Sequence, residues 1–357
     1  MRYYSALICF LFLTHFSGSV CQAQQKADSL LPDYQVLFNQ ASTLIDSSKY
    51  KESVVLLKKA VKKKKDYWEA YNKMAFAKIK VKDYKGAEKD LEMAEKIAPI
   101  NKNNEKLKGN NFYHNNKFKE AKEAFDTAVY INNEEKIDDA ELFYYRAMLM
   151  FKGKNYKGAL DACENALEFE PKYIDVYTLK GQVRFAMKDY NYAIKELSQA
   201  IKMMSIEKTD YEAYKMRAKS YFEAGNYKAA VSDWNVYIEA TPNEEGALVA
   251  RAAAKINCNQ NSSAITDLDE AIKLNAGNPV SFCYRGVAKG GNKQYVEALK
   301  DLDHAIELKF DYAAAYVNRA AIRMASKDRR GACADLEKAD SLGDAMAYKL
   351  IEQYCKR

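Results

Sequence analysis

Residues 279–312 read PVSFCYRGVAKGGNKQYVEALKDLDHAIELKFDY, and residues 313–346 read AAAYVNRAAIRMASKDRRGACADLEKADSLGDAM. Aligned without a gap, the two stretches share an arginine and a small residue at positions 7 and 8, an aspartate and a leucine at positions 23 and 24, and alanines at positions 20 and 27. A sequence that repeats at this interval builds supersecondary units, each of which buries its apolar face against its neighbours. The repeat therefore predicts a stack of similar units rather than a globular domain around one pocket.

The small residue of position 8 recurs through nearly the whole chain at intervals of 34 to 38 residues. Its occurrences are Ala41, Ala75, Gly109, Ala147, Gly181, Ala218, Ala252, Gly286 and Ala320. Aligning on them defines nine repeats, which cover residues 34–67, 68–101, 102–135, 140–173, 174–207, 211–244, 245–278, 279–312 and 313–346. Two short inserts, Lys136 to Asp139 and Lys208 to Asp210, account for the longer intervals.

The other shared positions indicate that each repeat is a pair of helices. Position 17 is aromatic in seven repeats, and alanine fills positions 20 and 27 in eight each. Positions 20, 24 and 27 are four and three residues apart, so they share one face of a second helix, while position 8 lies on a first helix. Small residues at positions 8 and 20 let the two backbones approach closely. Pro99, Pro171 and Pro242 fall at position 32, where they end the second helix.

With these residues the chain resembles the tetratricopeptide repeat (TPR) family, whose signature is a small residue at position 8, an aromatic at 17, alanines at 20 and 27 and a proline at 32. Ser53, Asn261 and Arg329 depart from that signature. The resemblance implies an all-α fold, a right-handed α-solenoid of about nine helix-turn-helix units. A capping helix is expected over residues 347–357, because the last repeat would otherwise leave its outer face bare.

The resemblance further implies a concave groove that binds a protein or peptide and is lined by positions 2, 5, 9, 12 and 13 of the first helices. We expect this groove to include Lys106, Asn110, Tyr144, Met148, Gln182, Lys215, Lys219, Phe222, Val249, Ala253, Cys283, Val287, Val317, Ala321 and Met324. Toward the C terminus these residues become small and apolar, which suits an apolar peptide or helix. The same side chains could instead pack against neighbouring first helices, and both interpretations stay open at this point.

One TPR subclass grips the C-terminal carboxylate of its partner with lysine, asparagine and arginine at set positions. Lys106 and Asn110 match the first pair of that clamp, but Tyr145 and Leu179 replace later members. Asp175 would in addition repel a carboxylate. We therefore exclude a co-chaperone that binds the C-terminal segments of chaperones.

Arginine at position 7 and aspartate at position 23 occur together in the last four repeats. A guanidinium opposite a carboxylate forms a bidentate pair, whereas unpaired arginines would form a stripe that binds anions. Because each of these arginines has an acid in its own repeat, we favour structural pairs.

The N terminus predicts export. An apolar stretch at residues 6–13 follows Arg2 and is too short for a comfortable membrane span. We interpret residues 1–23 as a signal peptide cleaved after Ala23, and residues 24–33 as a linker. Lipid attachment at Cys21 is the alternative, and Val20 argues against it because a lipoprotein signal has a small residue there.

The mature chain is thus expected in the periplasm, free or peripherally attached to the envelope. No later apolar run is long enough for a transmembrane segment. A likeness of residues 331–336 and the C-terminal end to exported TPR proteins of Bacteroidota-type bacteria implies the same location.

The cysteines predict one covalent link. After processing five remain, an odd number that leaves at least one thiol free or bonded to another chain. Cys333 at position 21 faces the next element, which is the cap that carries Cys355, so this pair could form a disulfide. The sequence has no C-x-x-C motif, and His114 and His304 stand alone, so we expect no metal site and no cofactor.

Charge and motifs restrict the function. The formal net charge is +7, and the lysine run at residues 58–65 is explained as a solvated helix end, because no aromatic residue or arginine accompanies it. We expect no nucleic-acid partner.

The chain has no nucleophile–base pair and no glycine-rich phosphate loop, so an enzyme is not expected. The leading hypothesis is a non-catalytic adaptor in the cell envelope. The alternative is a structural subunit of an envelope assembly or secretion complex, and the oligomeric state is open.

Overall fold

A computed structural model describes residues 31–135, 139–204 and 211–355. Within these ranges the regular structure consists of 19 helices and no strand. None of those helices combines the length and the apolar character that crossing a membrane requires. The predicted signal peptide, the first part of the predicted linker, residues 136–138 of the first insert and the whole second insert lie outside the described residues.

The described residues divide into two compact parts, an N-terminal part that ends at residue 171 and a C-terminal part that begins at residue 172. The helices of the N-terminal part are α1 (Asp33–Asp46), α2 (Tyr50–Lys63), α3 (Trp68–Lys80), α4 (Tyr84–Ile97), α5 (Lys102–His114), α6 (Phe118–Glu135), α7 (Ala140–Lys152) and α8 (Tyr156–Phe169). The helices of the C-terminal part are α9 (Ile174–Ala186), α10 (Tyr190–Met203), α11 (Tyr211–Glu223), α12 (Tyr227–Ala240), α13 (Glu245–Asn257), α14 (Asn261–Leu274), α15 (Pro279–Gly291), α16 (Tyr295–Leu308), α17 (Ala313–Ala325), α18 (Arg329–Ser341) and α19 (Ala345–Tyr354).

Each repeat contains one odd-numbered first helix and one even-numbered second helix, which pack on each other. The predicted all-α chain of about nine helix pairs is therefore confirmed. In the eighth repeat, Ala298, Leu302 and Ala305 on α16 are fully buried, as the spacing of positions 20, 24 and 27 requires. A Cβ atom added to Gly286 on α15 would lie only 2.8 Å from Cγ of Leu302. The small residue at position 8 thus lets the two helices meet.

The turn inside every repeat has one conformation that the sequence did not indicate. Position 15 is left-handed in all nine repeats, although only Gly225 is a glycine. The other residues with positive φ are Ser48, Lys82, Asn116, Lys154, Lys188, Asn259, Lys293 and Lys327. In each case the next backbone N–H donates to the carbonyl five residues earlier, for example Asp189 to Arg184 at 2.9 Å. This bond closes the C terminus of the first helix and holds the left-handed residue in place.

The predicted arginine–aspartate pairs are confirmed in the C-terminal part. Arg285 donates through Nε and Nη2 to the two carboxylate oxygens of Asp301, at 2.9 and 2.7 Å. Its Nη1 reaches Asp269 of the preceding repeat at 2.7 Å. The same arrangement recurs at Arg217, Arg251 and Arg319, whose Nη1 atoms reach Ser198, Asn235 and Asp303. Each guanidinium therefore fastens its own helix pair and ties it to the repeat before.

The C-terminal end is closed by α19. Asp344 caps this helix, because its carboxylate accepts from the backbone N–H groups of Met346 and Ala347. A disulfide joins Cys333 on α18 to Cys355 directly after α19, with 5.8 Å between their Cα atoms. The last helix is thus held to the final repeat by a covalent bond as well as by packing.

Candidate functional site

The C-terminal part carries an open cavity of about 410 Å³ between successive first helices, which we call the aromatic groove. Side chains from α9, α11, α13 and α15 form its walls, and one side chain from α12 forms its floor. Its lining residues are Phe185, Lys219, Phe222, Glu223, Trp234, Gly246, Val249, Ala250, Ala253 and Tyr284. Most of the exposed surface in the groove is apolar. Such a surface loses contact with water when an apolar ligand enters.

Two of the aromatic residues in the groove come from the same position of successive repeats. Phe185 and Phe222 both occupy position 12, and each packs against the position-17 tyrosine of its own repeat. The ring centroids are 5.6 Å apart for Phe185 and Tyr190 and 5.3 Å apart for Phe222 and Tyr227. These edge and tilted contacts restrict the rotamers of both phenylalanines before any ligand arrives.

The floor of the groove is large and rigid. Trp234 on α12 is only 2% exposed and makes an edge contact with Tyr237 at 5.8 Å. Val249 and Ala253 are 8% and 6% exposed and complete the apolar surface from α13. These small side chains therefore pack in the core and also line the groove.

Two lysines of α11 differ sharply in their electrostatic surroundings. Lys215 donates to Glu244 at 3.0 Å and to Tyr237 at 3.2 Å. Burial alone would lower the pKa of Lys215, but these hydrogen bonds and the neighbouring acids raise it well above its usual range. Lys219, one turn later, forms no ion pair with any described residue. Lys219 therefore lacks the ion pair that Lys215 forms, although the carboxylate of Glu223 lines the same groove.

The N-terminal part carries a second cavity of about 440 Å³, which we call the amide cavity. It lies between the first helices α1, α3, α5 and α7. Its lining residues are Phe38, Ile45, Trp68, Glu69, Asn72, Lys73, Phe76, Asn103, Lys106, Leu107, Asn110, Glu141 and Tyr145.

A hydrogen-bonded chain crosses one wall of the amide cavity. Asn110 donates from Nδ2 to the hydroxyl of Tyr145 at 2.7 Å, and that hydroxyl donates to Glu141 at 3.1 Å. Lys106 donates to the other oxygen of Glu141 at 2.7 Å and lies 3.4 Å from Asp139. The charge of Lys106 is thus already compensated by Glu141 of the neighbouring repeat and by Asp139 of the insert before it.

The remaining predicted groove residues lie outside both cavities. Tyr144 and Met148 are half-buried against the core around Phe125, and Gln182 is half-buried on α9. Val317 and Met324 pack on the core around Leu336, Val287 is half-buried and Ala321 is exposed. Placing Cys283 at the groove surface was wrong, because it is 2% exposed and its sulfur accepts from Asn318 at 3.3 Å. Burial also raises the pKa of this thiol.

Sequence reasoning missed Trp234, Tyr284 and Asn72. Trp234 occupies position 24, which is a core position in every repeat, and Tyr284 occupies position 6, which the groove code leaves out. Asn72 occupies position 5 of the second repeat and matches the groove code, so the same code could have found it. Within the described residues, no group of three or more histidine, cysteine, aspartate and glutamate side chains could hold a metal ion.

No family model matches the chain. It is similar to Hsp70-Hsp90 organizing protein 3 of Arabidopsis thaliana, with 30% identity over 124 residues, which cover 34% of this chain and 21% of that protein. The chain therefore spans about a fifth of the length of the curated relatives it matches.

Two solved structures are similar in fold. The structure of PilF from Pseudomonas aeruginosa has a TM-score of 0.54 and 14% identity and covers 61% of this chain and 96% of its own. YrrB, a TPR protein with an unusual peptide-binding site, has a TM-score of 0.49 and 21% identity and covers 54% of this chain and 95% of its own. The repeated position code, the nine helix pairs and the sequence similarity together identify the fold: the chain is a tetratricopeptide repeat protein.

Proposed function

We propose that the chain is a non-catalytic scaffold that binds an apolar segment of a partner protein in the aromatic groove. The observation that carries the proposal is the groove itself, a largely apolar cavity lined by a buried tryptophan and by two phenylalanines that each pack on a tyrosine. Preorganised aromatic side chains bind with little loss of conformational entropy. Binding hot spots are typically aromatic pockets of this kind.

The charge at the groove indicates which chemical groups the ligand carries. Lys219 lies at the rim without an ion pair among the described residues, and an acidic group of the ligand would give it one. We therefore infer a segment with an aromatic or aliphatic anchor side chain and an aspartate or glutamate close to it. The anchor supplies most of the binding energy, while the carboxylate fixes the direction of the segment.

The similarity to a protein named for organising Hsp70 and Hsp90 supports a function in binding other proteins. It does not support recognition of a C-terminal carboxylate. Lys106 and Lys215 occupy the first position of such a clamp in their repeats. Glu141 and Asp139 already neutralise Lys106, and Glu244 pairs with Lys215.

We further propose that the protein acts outside the cytoplasm, in the cell envelope. The apolar N-terminal stretch followed by small residues supports export. The disulfide between Cys333 and Cys355 supports an oxidising compartment, because disulfides form and persist there.

A permanent subunit of an envelope complex remains the second candidate. It is favoured by large apolar side chains on second helices, such as Val296 on α16, which is 65% exposed. A subunit of this kind would bury its outer face rather than its groove, because obligate interfaces are large and apolar.

Truncation of Phe222 to alanine is expected to weaken binding of a groove ligand at least tenfold, because it removes one of the two aromatic walls. The probe is a displayed library of random linear peptides, selected on the full chain, and the measurement is the dissociation constant of the recovered peptides. We expect those peptides to share an apolar anchor and a nearby acidic residue.

Two lysine variants serve as internal controls for the Phe222 experiment. Lys219→Ala is expected to weaken binding severalfold, whereas Lys215→Ala is expected to have a smaller effect, because its charge is compensated within the protein. Groove peptides that bind Phe222→Ala as tightly as the native chain would refute the proposed site.

A further inference from the structure

One arginine of the repeat code lacks the aspartate that its counterparts bind. Arg146 occupies position 7 of the fourth repeat, and its counterparts in the last four repeats are Arg217, Arg251, Arg285 and Arg319. Position 23 of the fourth repeat, however, is Ala162, whose side chain has no hydrogen-bond acceptor. Arg146 retains the contact with the preceding repeat, in which its Nη2 donates to Asp126 at 3.4 Å. Its Nε and Nη1 have no hydrogen-bond partner among the described residues.

Arg146 lies at an open cavity of about 400 Å³, which we call the arginine cavity. The cavity lies between the second helix α6 and the first helix α7. Its lining includes Lys122, Asp126, Arg146, Leu149, Met150 and Asn155. The side chain of Arg146 is 24% exposed, against 15–18% for the four arginines that bind an aspartate. A ligand in the cavity therefore reaches the guanidinium.

The charges in the cavity indicate that one anion is missing. In the eighth repeat, Arg285 and a neighbouring lysine face two carboxylates. In the arginine cavity, Arg146 and Lys122 share the single carboxylate of Asp126, which lies 2.6 Å from Nζ of Lys122. One further carboxylate would give the arginine cavity the same balance of two cations and two anions.

The counterparts of Arg146 show which chemical group such an arginine binds. Each of the four donates through two nitrogens to both oxygens of a carboxylate. This planar, bidentate geometry is the one that a guanidinium favours. Beside Arg146, the half-buried side chains of Leu149 and Met150 add apolar surface to the cavity. The ligand that fits is therefore a carboxylate attached to a short apolar group.

We propose that the arginine cavity binds such a carboxylate, and that Arg146 holds it as the other arginines hold their aspartates. The carboxylate belongs either to a small organic acid or to a glutamate beside an apolar residue of a partner protein. The lining residues named above occupy positions 7, 10, 11, 16, 21 and 25 of their repeats, whereas the concave groove uses positions 2, 5, 9, 12 and 13. The site is therefore separate from the aromatic groove and does not depend on the function proposed for it.

The test measures the affinity of the full chain for butyrate, by NMR saturation transfer to the methyl protons of butyrate. Butyramide, which has the same shape and no charge, is the control ligand. We expect saturable binding of butyrate at millimolar concentration or below, and binding of butyramide at least tenfold weaker. Arg146→Gln should lower the affinity for butyrate at least tenfold. Arg330→Gln removes the same charge from an exposed residue of α18 and should leave the affinity unchanged.

Ala162→Asp supplies the aspartate that the fourth repeat lacks. The variant should remain folded, because four other repeats hold an aspartate at position 23 beside the same arginine. Its new carboxylate should occupy the guanidinium of Arg146 and lower the affinity for butyrate at least tenfold. Ala162→Asn adds a side chain of the same size without the charge and should lower the affinity less.

The blocked peptide N-acetyl-Leu-Glu-Leu-amide, compared with its glutamine counterpart, identifies the source of the carboxylate. Glutamate-dependent binding that is lost in Arg146→Gln assigns the site to a partner protein, whereas binding of butyrate alone assigns it to a small acid. Absence of saturable binding by either acid would overturn the proposal. An affinity for butyrate that Arg146→Gln and Ala162→Asp leave unchanged would do the same. Neither result affects the test of the aromatic groove, which rests on Phe222.

Discussion

Replacement of Arg217 by alanine is expected to lower the free energy of unfolding by about 3–5 kcal/mol. Arg217 donates to both oxygens of Asp233 at 2.7 and 2.8 Å, and Asp233 is 5% exposed. Removing the guanidinium leaves a buried carboxylate with no cation. It also breaks the bond from Nη1 to Ser198 of the preceding repeat, at 3.0 Å.

Arg285→Ala is the matched comparison, because its aspartate has a second cation. Lys289 lies 2.7 Å from Asp301 and remains there when Arg285 is removed. We expect a loss of roughly 1.5–3 kcal/mol for this variant. In the sixth repeat, Tyr221 occupies the position that Lys289 has in the eighth. Tyr221 has no positive charge with which to compensate the carboxylate of Asp233 when Arg217 is removed.

Urea unfolding followed by circular dichroism measures the free energy of unfolding of both variants. Hydrogen exchange in α11 and α12 shows where Arg217→Ala loses stability, since a repeat is stabilised mainly by its nearest neighbours. The double replacement Arg217→Met with Asp233→Leu should recover most of the loss, because it removes both buried charges together. Equal effects of Arg217→Ala and Arg285→Ala would contradict the role assigned to Lys289.

Truncation of Phe125 to alanine is expected to destabilise the N-terminal part by about 3–5 kcal/mol. Phe125 on α6 is fully buried and stacks on Tyr145 at 5.7 Å. Its ring occupies the space above Gly109 on α5, where an added Cβ would lie 2.3 Å from the ring. The glycine at position 8 and the phenylalanine at position 24 are therefore matched in size.

The other repeats suggest a compensating pair for this contact. Position 8 is alanine where position 24 is leucine in four repeats, including Ala41 with Leu57 and Ala252 with Leu268. Gly109→Ala alone should lose about 1–3 kcal/mol to overpacking, even though alanine favours a helix. Combined with Phe125→Leu it should approach native stability, with a coupling energy of about 1–3 kcal/mol in a double-mutant cycle. Additive single effects would show that the two positions do not share one space.

The fold could be predicted from the sequence because its determinants are local and repeated nine times. The spacing of Ala298, Leu302 and Ala305 predicts the buried face of α16. The prolines at position 32 mark the ends of second helices, because each lies two residues after such a helix ends: Pro99, Pro171 and Pro242. The left-handed turn could not be predicted, because lysine at position 15 carries no turn signal. Its conformation is imposed by the hydrogen bond that closes the helix before it.

The candidate site was predictable only in part. Phe222, at position 12, lines the aromatic groove, and Trp234 lines it from position 24, which is a core position in the other repeats. Lys215 and Lys219 look alike in sequence, and only the placement of Glu244 and Tyr237 distinguishes the paired cation from the free one. Such differences arise from contacts between repeats, which a position code within one repeat does not contain.

Site-specific photo-crosslinking in the cells that make the protein tests the central claim most directly. A photoreactive amino acid replaces Glu223, an exposed residue at the rim of the aromatic groove, and in a separate variant replaces Lys300, an exposed residue on the second helix α16. We expect a discrete protein adduct from position 223, which disappears when Phe222→Ala is added, and no adduct from position 300. Adducts from position 300 alone would contradict the central claim and move the function to the outer face.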